Sequence, residues 1–316
     1  MDVRAEVLAA EVRIAGHVRR TPVESSHFLG AAGKCHAYLK LENFQRTGSF
    51  KFRGAMNKLL ALAPAERKAG IVAASTGNHG VAVACAADLL GVPAVIFAPE
   101  TARSTKLEAV RDYGAEVRQV GDDCLVTESA ARAHARDESM TYVSPYNDPE
   151  VIAGQGTIGR ELEQQLENVD TLFVAVGGGG FVSGIGGYLK AVGRDVRVVA
   201  CSPRRSAVMH DSLAAGRILD LPSEPTLSDG TAGGVEADSI TFELCREVID
   251  DFVLVDEDEI ADAVRSIVVH HHMLVEGAAG VAVAAFQKER EGLEGQDVVV
   301  VLCGANMDVE TLKGLL

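Results

Sequence analysis

Thr171-Leu172-Phe173-Val174-Ala175-Val176-Gly177-Gly178-Gly179-Gly180 is the stretch that decides how this chain folds. The first six residues are almost wholly apolar and rich in β-branched types, which reads as a strand buried on both faces. Four glycines follow, and a helix is expected over 183–192. A strand that passes through glycines straight into a helix is a junction of a parallel α/β sheet. The next expected strand, 196–201, continues the pattern. Upstream, short apolar segments at 70–74, 94–98, 116–120 and 141–143 alternate with expected helices over 80–90, 104–113 and 124–137. Downstream come a strand over 252–255, helices over 257–272 and 278–291, and a strand over 298–302. The expected architecture is therefore α/β, two-lobed and built on parallel sheets, with a cleft at the carboxyl ends of the strands. The larger lobe is expected to comprise 1–60 and 149–316, and 61–148 the smaller.

Composition narrows the class of function. The chain has 316 residues, 47% of them apolar, enough for a sizeable core. Its formal net charge is −15, and no block rich in Lys or Arg occurs. Nucleic acid and anionic membranes both require a basic footprint, so neither is expected as a partner. The most apolar span, 81–99, is interrupted by Asp88, Gly91 and Pro93, which argues against a membrane helix. The first sixteen residues mix acids and bases at helical spacing and do not read as a signal peptide. Six cysteines are scattered without a CxxC pair. They fit reduced thiols in a cytoplasmic protein.

The glycine run has two readings, an anion cradle or a tight turn that merely packs. Glycine amides at a helix N-terminus attract phosphate. A dinucleotide site is disfavoured, because the G-x-G-x-x-G register fails. Its third glycine would fall on Val182 or Ser183, and the following strand ends Ala200-Cys201-Ser202 without an acid. One compact phosphate suits the run better. A second junction, Ser75-Thr76-Gly77-Asn78-His79-Gly80, offers hydroxyls, an amide and a helix start to an anion such as a carboxylate, although it could be an ordinary helix cap. The third piece is Thr47-Gly48-Ser49-Phe50-Lys51-Phe52-Arg53-Gly54, ahead of a helix expected over 53–63. Lys51 between two phenylalanines is expected to be partly desolvated, which lowers a lysine pKa and frees the amine to form a Schiff base. A snorkelling surface lysine is the plainer alternative. A ligand that is both a phosphate and an aldehyde would unite the three pieces, and pyridoxal 5′-phosphate is one.

Five motifs in order now resemble the serine/threonine dehydratase family, the fold-type II pyridoxal-phosphate enzymes related to the tryptophan synthase β-chain, a group that also holds serine racemase. They are Ser49-Phe50-Lys51-Phe52-Arg53-Gly54-Ala55, Ser75 to Gly80, Pro145-Tyr146-Asn147 with Ile152-Ala153-Gly154-Gln155-Gly156-Thr157, Gly177 to Gly180, and Cys303-Gly304-Ala305-Asn306. The resemblance implies that Lys51 is the Schiff-base lysine and general base, and that Gly177, Gly178, Gly179 and Gly180 hold the phosphate. It places Asn78 at the ring hydroxyl, Phe50 and Glu276 beside the ring, and Cys303 at the pyridine nitrogen. Ser75, Thr76, Gly77, Asn78, His79 and Asn147 would meet the amino-acid substrate. A racemase-like second acid/base would fall on Thr76, where the family's racemases have a serine. Ser228-Asp229-Gly230-Thr231 would approach the ring. The implied reaction is β-elimination from a hydroxy-amino acid, threonine first and serine second, by a homodimer. Arg204 and Arg205 are weak candidates for a distal acidic group. The racemases' divalent-cation site is not expected, because Ser202-Pro203-Arg204-Arg205 stands where they carry an acid. His270-His271-His272 is not read as a metal site, since adjacent helical residues point about 100° apart. One buried and two exposed histidines are expected there instead.

Overall fold

The computed structural model describes residues 1–316 apart from Thr76, Arg103 and Asp123, and apart from the side chains of 104–106, 124 and 125. Two sheets organise it. The larger has six strands: β1 (Val23–Ser25), β2 (His36–Leu41), β7 (Thr171–Ala175), β8 (Arg197–Pro203), β9 (Asp251–Val255) and β10 (Asp297–Leu302), in the order β1-β2-β10-β7-β8-β9. Only β1 runs antiparallel to its neighbour. The smaller has β3 (Ile71–Ala74), β4 (Ala94–Ala98), β5 (Glu116–Gln119) and β6 (Thr141–Tyr142), all parallel, in the order β5-β4-β3-β6.

The buried strands read as continuous apolar runs because helices cover both faces of a parallel sheet. Val298 to Leu302 on β10 are all inaccessible to solvent. Each such side chain contributes about 1.5–3 kcal/mol of transfer free energy, so a charge at Val300 would break the centre of the sheet. Local chemistry starts the helices. Asp148 caps helix Pro149–Gln165 by accepting from the Glu150 and Val151 amides, ahead of a proline at the first helical position. Asp256 and Glu259 form a capping box at helix Glu257–His271.

The helix expected over 53–63 runs from Lys51 to Ala61. Its start moves back onto Lys51 itself, and its end comes early because the chain must turn extended ahead of Pro64. Helices Pro64–Ala69, Val208–Ala215 and Thr241–Val248 were not anticipated; each is short. The three histidines depart from expectation too, since none is buried. His270 stacks on Phe28 at 3.9 Å, and His271 meets Ser26 Oγ at 2.9 Å.

The segment before Lys51 lies along the continuation of β10. Ser49 bridges to Gly304, the Phe50 amide donates to the Cys303 carbonyl (3.0 Å), and the Ala305 amide donates to Gly48 (2.9 Å). The carboxyl ends of β10, β7 and β3 thereby bring Cys303, the glycine run and the Ser75 loop to the Lys51 side of the molecule.

Candidate active site

A buried charge network anchors the helix that begins at Lys51. Arg53 is wholly buried and donates to both Glu42 oxygens (2.8 and 2.9 Å), to Glu161 Oε1 (2.7 Å) and to Thr157 Oγ1 (3.2 Å). Lys40, equally buried, donates to Glu161 Oε2 at 2.5 Å and to the Thr21 carbonyl at 2.9 Å. Two cations and two carboxylates balance. Each buried charge is tolerable only because its partners are in place. Burial pushes the Glu161 carboxyl up, but Arg53 and Lys40 beside it outweigh this and hold it below its ordinary value.

Lys51 itself points elsewhere. Its Nζ donates to the Pro145 carbonyl at 2.9 Å and sits 5.2 Å from the centre of the Phe50 ring. Phe50 stacks in turn on Phe181 at 3.7 Å, in the first turn of the helix that opens at Gly180. Burial of the amine pulls its pKa down to about 8, although Cys303 and Glu276 nearby act in the opposite direction.

Those two neighbours belong to a compact polar cluster. Glu276 is 2% exposed and accepts from Asn78 Nδ2 (2.9 Å to each oxygen), from the Asn306 amide (3.1 Å) and from Cys303 Sγ (3.7 Å). Asn306 Nδ2 also donates to Asn78 Oδ1 at 2.6 Å. Burial pushes the Glu276 carboxyl up to about 7. Burial, and then Glu276, push the Cys303 thiol well above its ordinary value, so it is a neutral thiol at pH 7. A Cβ on Gly304 would fall 2.6 Å from Glu276 Oε1, so any larger residue there would displace that carboxylate. Gly230 lies over the same group, the place of its missing Cβ 3.5 Å from Glu276 Oε1.

The glycine run provides the anion site's geometry. Gly179 sits at φ +85°, a conformation that favours glycine, and caps helix Gly180–Ala191. A side chain on Gly178 would overlap the Tyr146 ring. Among the described residues no protein group accepts from the amides of Gly177, Gly178, Gly179 or Gly180. Unpaired amides at a helix N-terminus fit a phosphate. Together with an enclosed amine and a neutral thiol, they fit the chemistry of a pyridoxal phosphate.

At the second junction, Ser75 Oγ accepts from the Gly77 amide (3.1 Å), and helix Asn78–Leu90 starts immediately after. Thr76, the expected second acid/base, lies outside the described residues. The other expected substrate residues have their side chains engaged. His79 donates from Nε2 to the Val143 carbonyl (2.8 Å); burial, then Lys51, pull its pKa down to about 3, so the ring is neutral. Asn147 donates to Glu236 Oε2 (2.8 Å) and accepts from the Ile240 amide (3.0 Å). Arg204 pairs with Asp256 at 2.8 Å, and Arg205 donates to the Pro225 carbonyl at 3.1 Å.

Pro145, Tyr146, Asn306 and the Arg53 network were given no role by the sequence reading. Pro145 contributes a carbonyl, which every residue has, so its motif gave no sign of the bond to Lys51. Arg53 did carry one: a cation two residues beyond Lys51, inside an otherwise apolar helical face, implies buried carboxylates.

With this geometry in hand, the family is plain. Residues 14–304 match the model of the pyridoxal-phosphate dependent enzymes, and the chain belongs to that family. It is 38% identical over 314 residues to an L-threonine ammonia-lyase of Thermotoga maritima, covering 98% of this chain and 77% of the relative. It is 36% identical over 312 residues to the catabolic L-threonine dehydratase of Escherichia coli, covering 98% and 94%. Among solved structures, maize serine racemase superposes with a TM-score of 0.93 at 32% identity, covering 98% of this chain and 95% of that one. Threonine deaminase isoform 2 of Solanum lycopersicum also gives 0.93 at 32% identity, covering 99% and 86%.

Proposed function

We propose that this protein is a threonine ammonia-lyase that converts L-threonine to 2-oxobutanoate and ammonia, with L-serine to pyruvate as a side activity. The observation that carries the reading is the Lys51 amine, held on the Pro145 carbonyl with its pKa pulled down to about 8, close to the neutral thiol of Cys303. The names of its relatives support the substrate.

When bound, pyridoxal phosphate supplies an aldehyde for the substrate amine and a ring that withdraws electrons from the α-carbon. The chain's own residues supply the rest. Lys51 Nζ, with a pKa near working pH, accepts the α-proton, and the Pro145 carbonyl orients that amine. Amides and hydroxyls of 75–79 at the start of helix Asn78–Leu90 bind the substrate carboxylate; His79 contributes its backbone. Asn147 acts by fixing the turn next to Tyr146. Cys303, a neutral thiol, would be the group that meets the ring nitrogen, with Glu276 in contact with it, so no firmly ionised carboxylate would be imposed there. Neutral surroundings suit elimination, which needs a weaker electron sink. Residues 1–60 with 149–316 form the cofactor-binding lobe and 61–148 the capping lobe; the four-stranded sheet falls wholly inside 61–148. A cytoplasmic homodimer completes the proposal, in keeping with buried free cysteines at 35, 85, 201, 245 and 303.

Serine racemisation is the second reading, favoured by the superposition on maize serine racemase. The test is incubation of the holoenzyme with L-threonine, L-serine, D-serine, phenylserine and hydroxyaspartate, following oxo-acid release and D-serine formation. Oxo acid from L-threonine above the others is expected. D-serine from L-serine without oxo acid would overturn the reading in favour of the racemase.

A further inference from the structure

The turn that holds Lys51 is itself held by one carboxylate from a distant segment. Ser144 to Asn147 touch the site at three points: the Pro145 carbonyl receives the Lys51 amine, the Tyr146 ring packs on Gly178, and the Tyr146 carbonyl lies where a Cβ on Gly180 would meet it, 2.8 Å away. Residues 216–240 include no helix or strand and run from helix Val208–Ala215 to helix Thr241–Val248. From this segment Glu236 reaches the turn. Its Oε1 accepts from Ser144 Oγ (3.3 Å), and its Oε2 accepts from Asn147 Nδ2 (2.8 Å). Its own amide donates to Tyr146 Oη (2.9 Å). Arg132, on helix Cys124–Asp137 beside the small sheet, closes the group at 2.9 Å from Oε2. The Arg132 guanidinium is also held by Glu128 and by the Tyr142 ring face, 4.1 Å away.

We propose that Glu236 is a positioning residue: by gathering Ser144, Tyr146 and Asn147 it fixes the turn that sets both the Lys51 amine and the glycine cradle. The inference rests on the reading of the site under Proposed function. The two hydrogen bonds from uncharged donors matter more than the ion pair, because Arg132 is 42% exposed and Glu236 only 17%. Exposed pairs contribute little, whereas bonds at an enclosed carboxylate contribute more. Thr241 Oγ1, which donates to the Gly178 carbonyl at 2.6 Å, ties the end of the same segment to the cradle.

The test compares Glu236→Ala, Glu236→Gln and Arg132→Met in the cofactor-loaded full chain. Hydrogen exchange and pyridoxal-phosphate affinity are measured alongside kcat and KM. In Glu236→Ala, the amides of Ser144, Tyr146, Asn147 and 236–240 should exchange about tenfold faster and cofactor affinity should fall about tenfold, the loss expected from one hydrogen bond. The activity loss should fall on kcat more than on KM. Glu236→Gln keeps an acceptor for Asn147 and should restore most of the affinity, and Arg132→Met should change it less than Glu236→Ala does. Parental exchange and affinity in Glu236→Ala would overturn the proposal. So would an Arg132→Met loss equal to that of Glu236→Ala, which would make the ion pair the agent. A parent that fails to bind pyridoxal phosphate would sink the site reading instead, and exchange in 144–147 would still decide the role of Glu236.

Discussion

Replacing Lys51 by methionine should make the cofactor-stripped protein more stable at pH 7. The enclosed ammonium is pulled from the ordinary 10.5 to about 8, chiefly by burial. At 1.36 kcal/mol per tenfold, that displacement corresponds to about 3 kcal/mol held against the charged form. The rest of the side chain is only half-buried, and the bond to the Pro145 carbonyl contributes about 1.5 kcal/mol in return. A net gain of about 1–2 kcal/mol remains for an unbranched apolar chain of similar length. The sign against pH follows from the two states. Between about 8 and 10.5 the unfolded lysine keeps its proton while the folded one gives it up, so the parent gains stability as pH rises through this window. The variant's advantage should therefore be largest at pH 7 and shrink toward pH 10. Urea unfolding of both proteins at pH 7, 8.5 and 10 reads this directly. A variant less stable than the parent at pH 7, or a gap that ignores pH, would show that the Lys51 amine is not desolvated.

Four further outcomes follow from the geometry. Arg53→Met strands Glu42 and Glu161 in the interior and should cost about 3–5 kcal/mol in urea unfolding; Glu161, held low by its cations, contributes stability that is present above the ordinary carboxylate range and lost in acid, so Glu161→Gln should flatten the acid limb of stability against pH. Gly178→Ala drives a methyl into the Tyr146 ring and should cost about 1–3 kcal/mol of overpacking at the cradle, seen as weakened pyridoxal-phosphate binding in an absorbance titration. The Glu276 carboxyl, pushed up to about 7, should impose a change in the cofactor's absorbance near pH 7 that Glu276→Gln abolishes.

How much of this was legible in the chain depended on whether a residue's neighbours are sequence-local. The parallel sheets were, because strands such as β7 and β10 are buried on both faces and read as unbroken apolar runs. Lys51 and the glycine run were equally visible, since a lysine between two phenylalanines and four glycines at a strand end are unusual on their own. What stayed hidden were pairings across long separations. Glu276 meets Asn78 across 198 residues, and Glu236 meets Asn147 across 89. No local pattern marks a glutamate for burial beside an asparagine. The side chains of His79 and Asn147 were placed at the substrate on motif alone. Their partners, the Val143 carbonyl and Glu236, belong to a strand end and a segment that local sequence does not bring together.

Lys51 is the residue proposed to carry the cofactor. Borohydride reduction of the yellow holoenzyme, followed by digestion and peptide mass spectrometry, locates the amine that holds it. One reduced pyridoxal phosphate per chain, confined to the peptide that contains Lys51 and absent from Lys51→Met, is the predicted result. A label on another lysine, or a purified chain that takes up no pyridoxal phosphate, would contradict it.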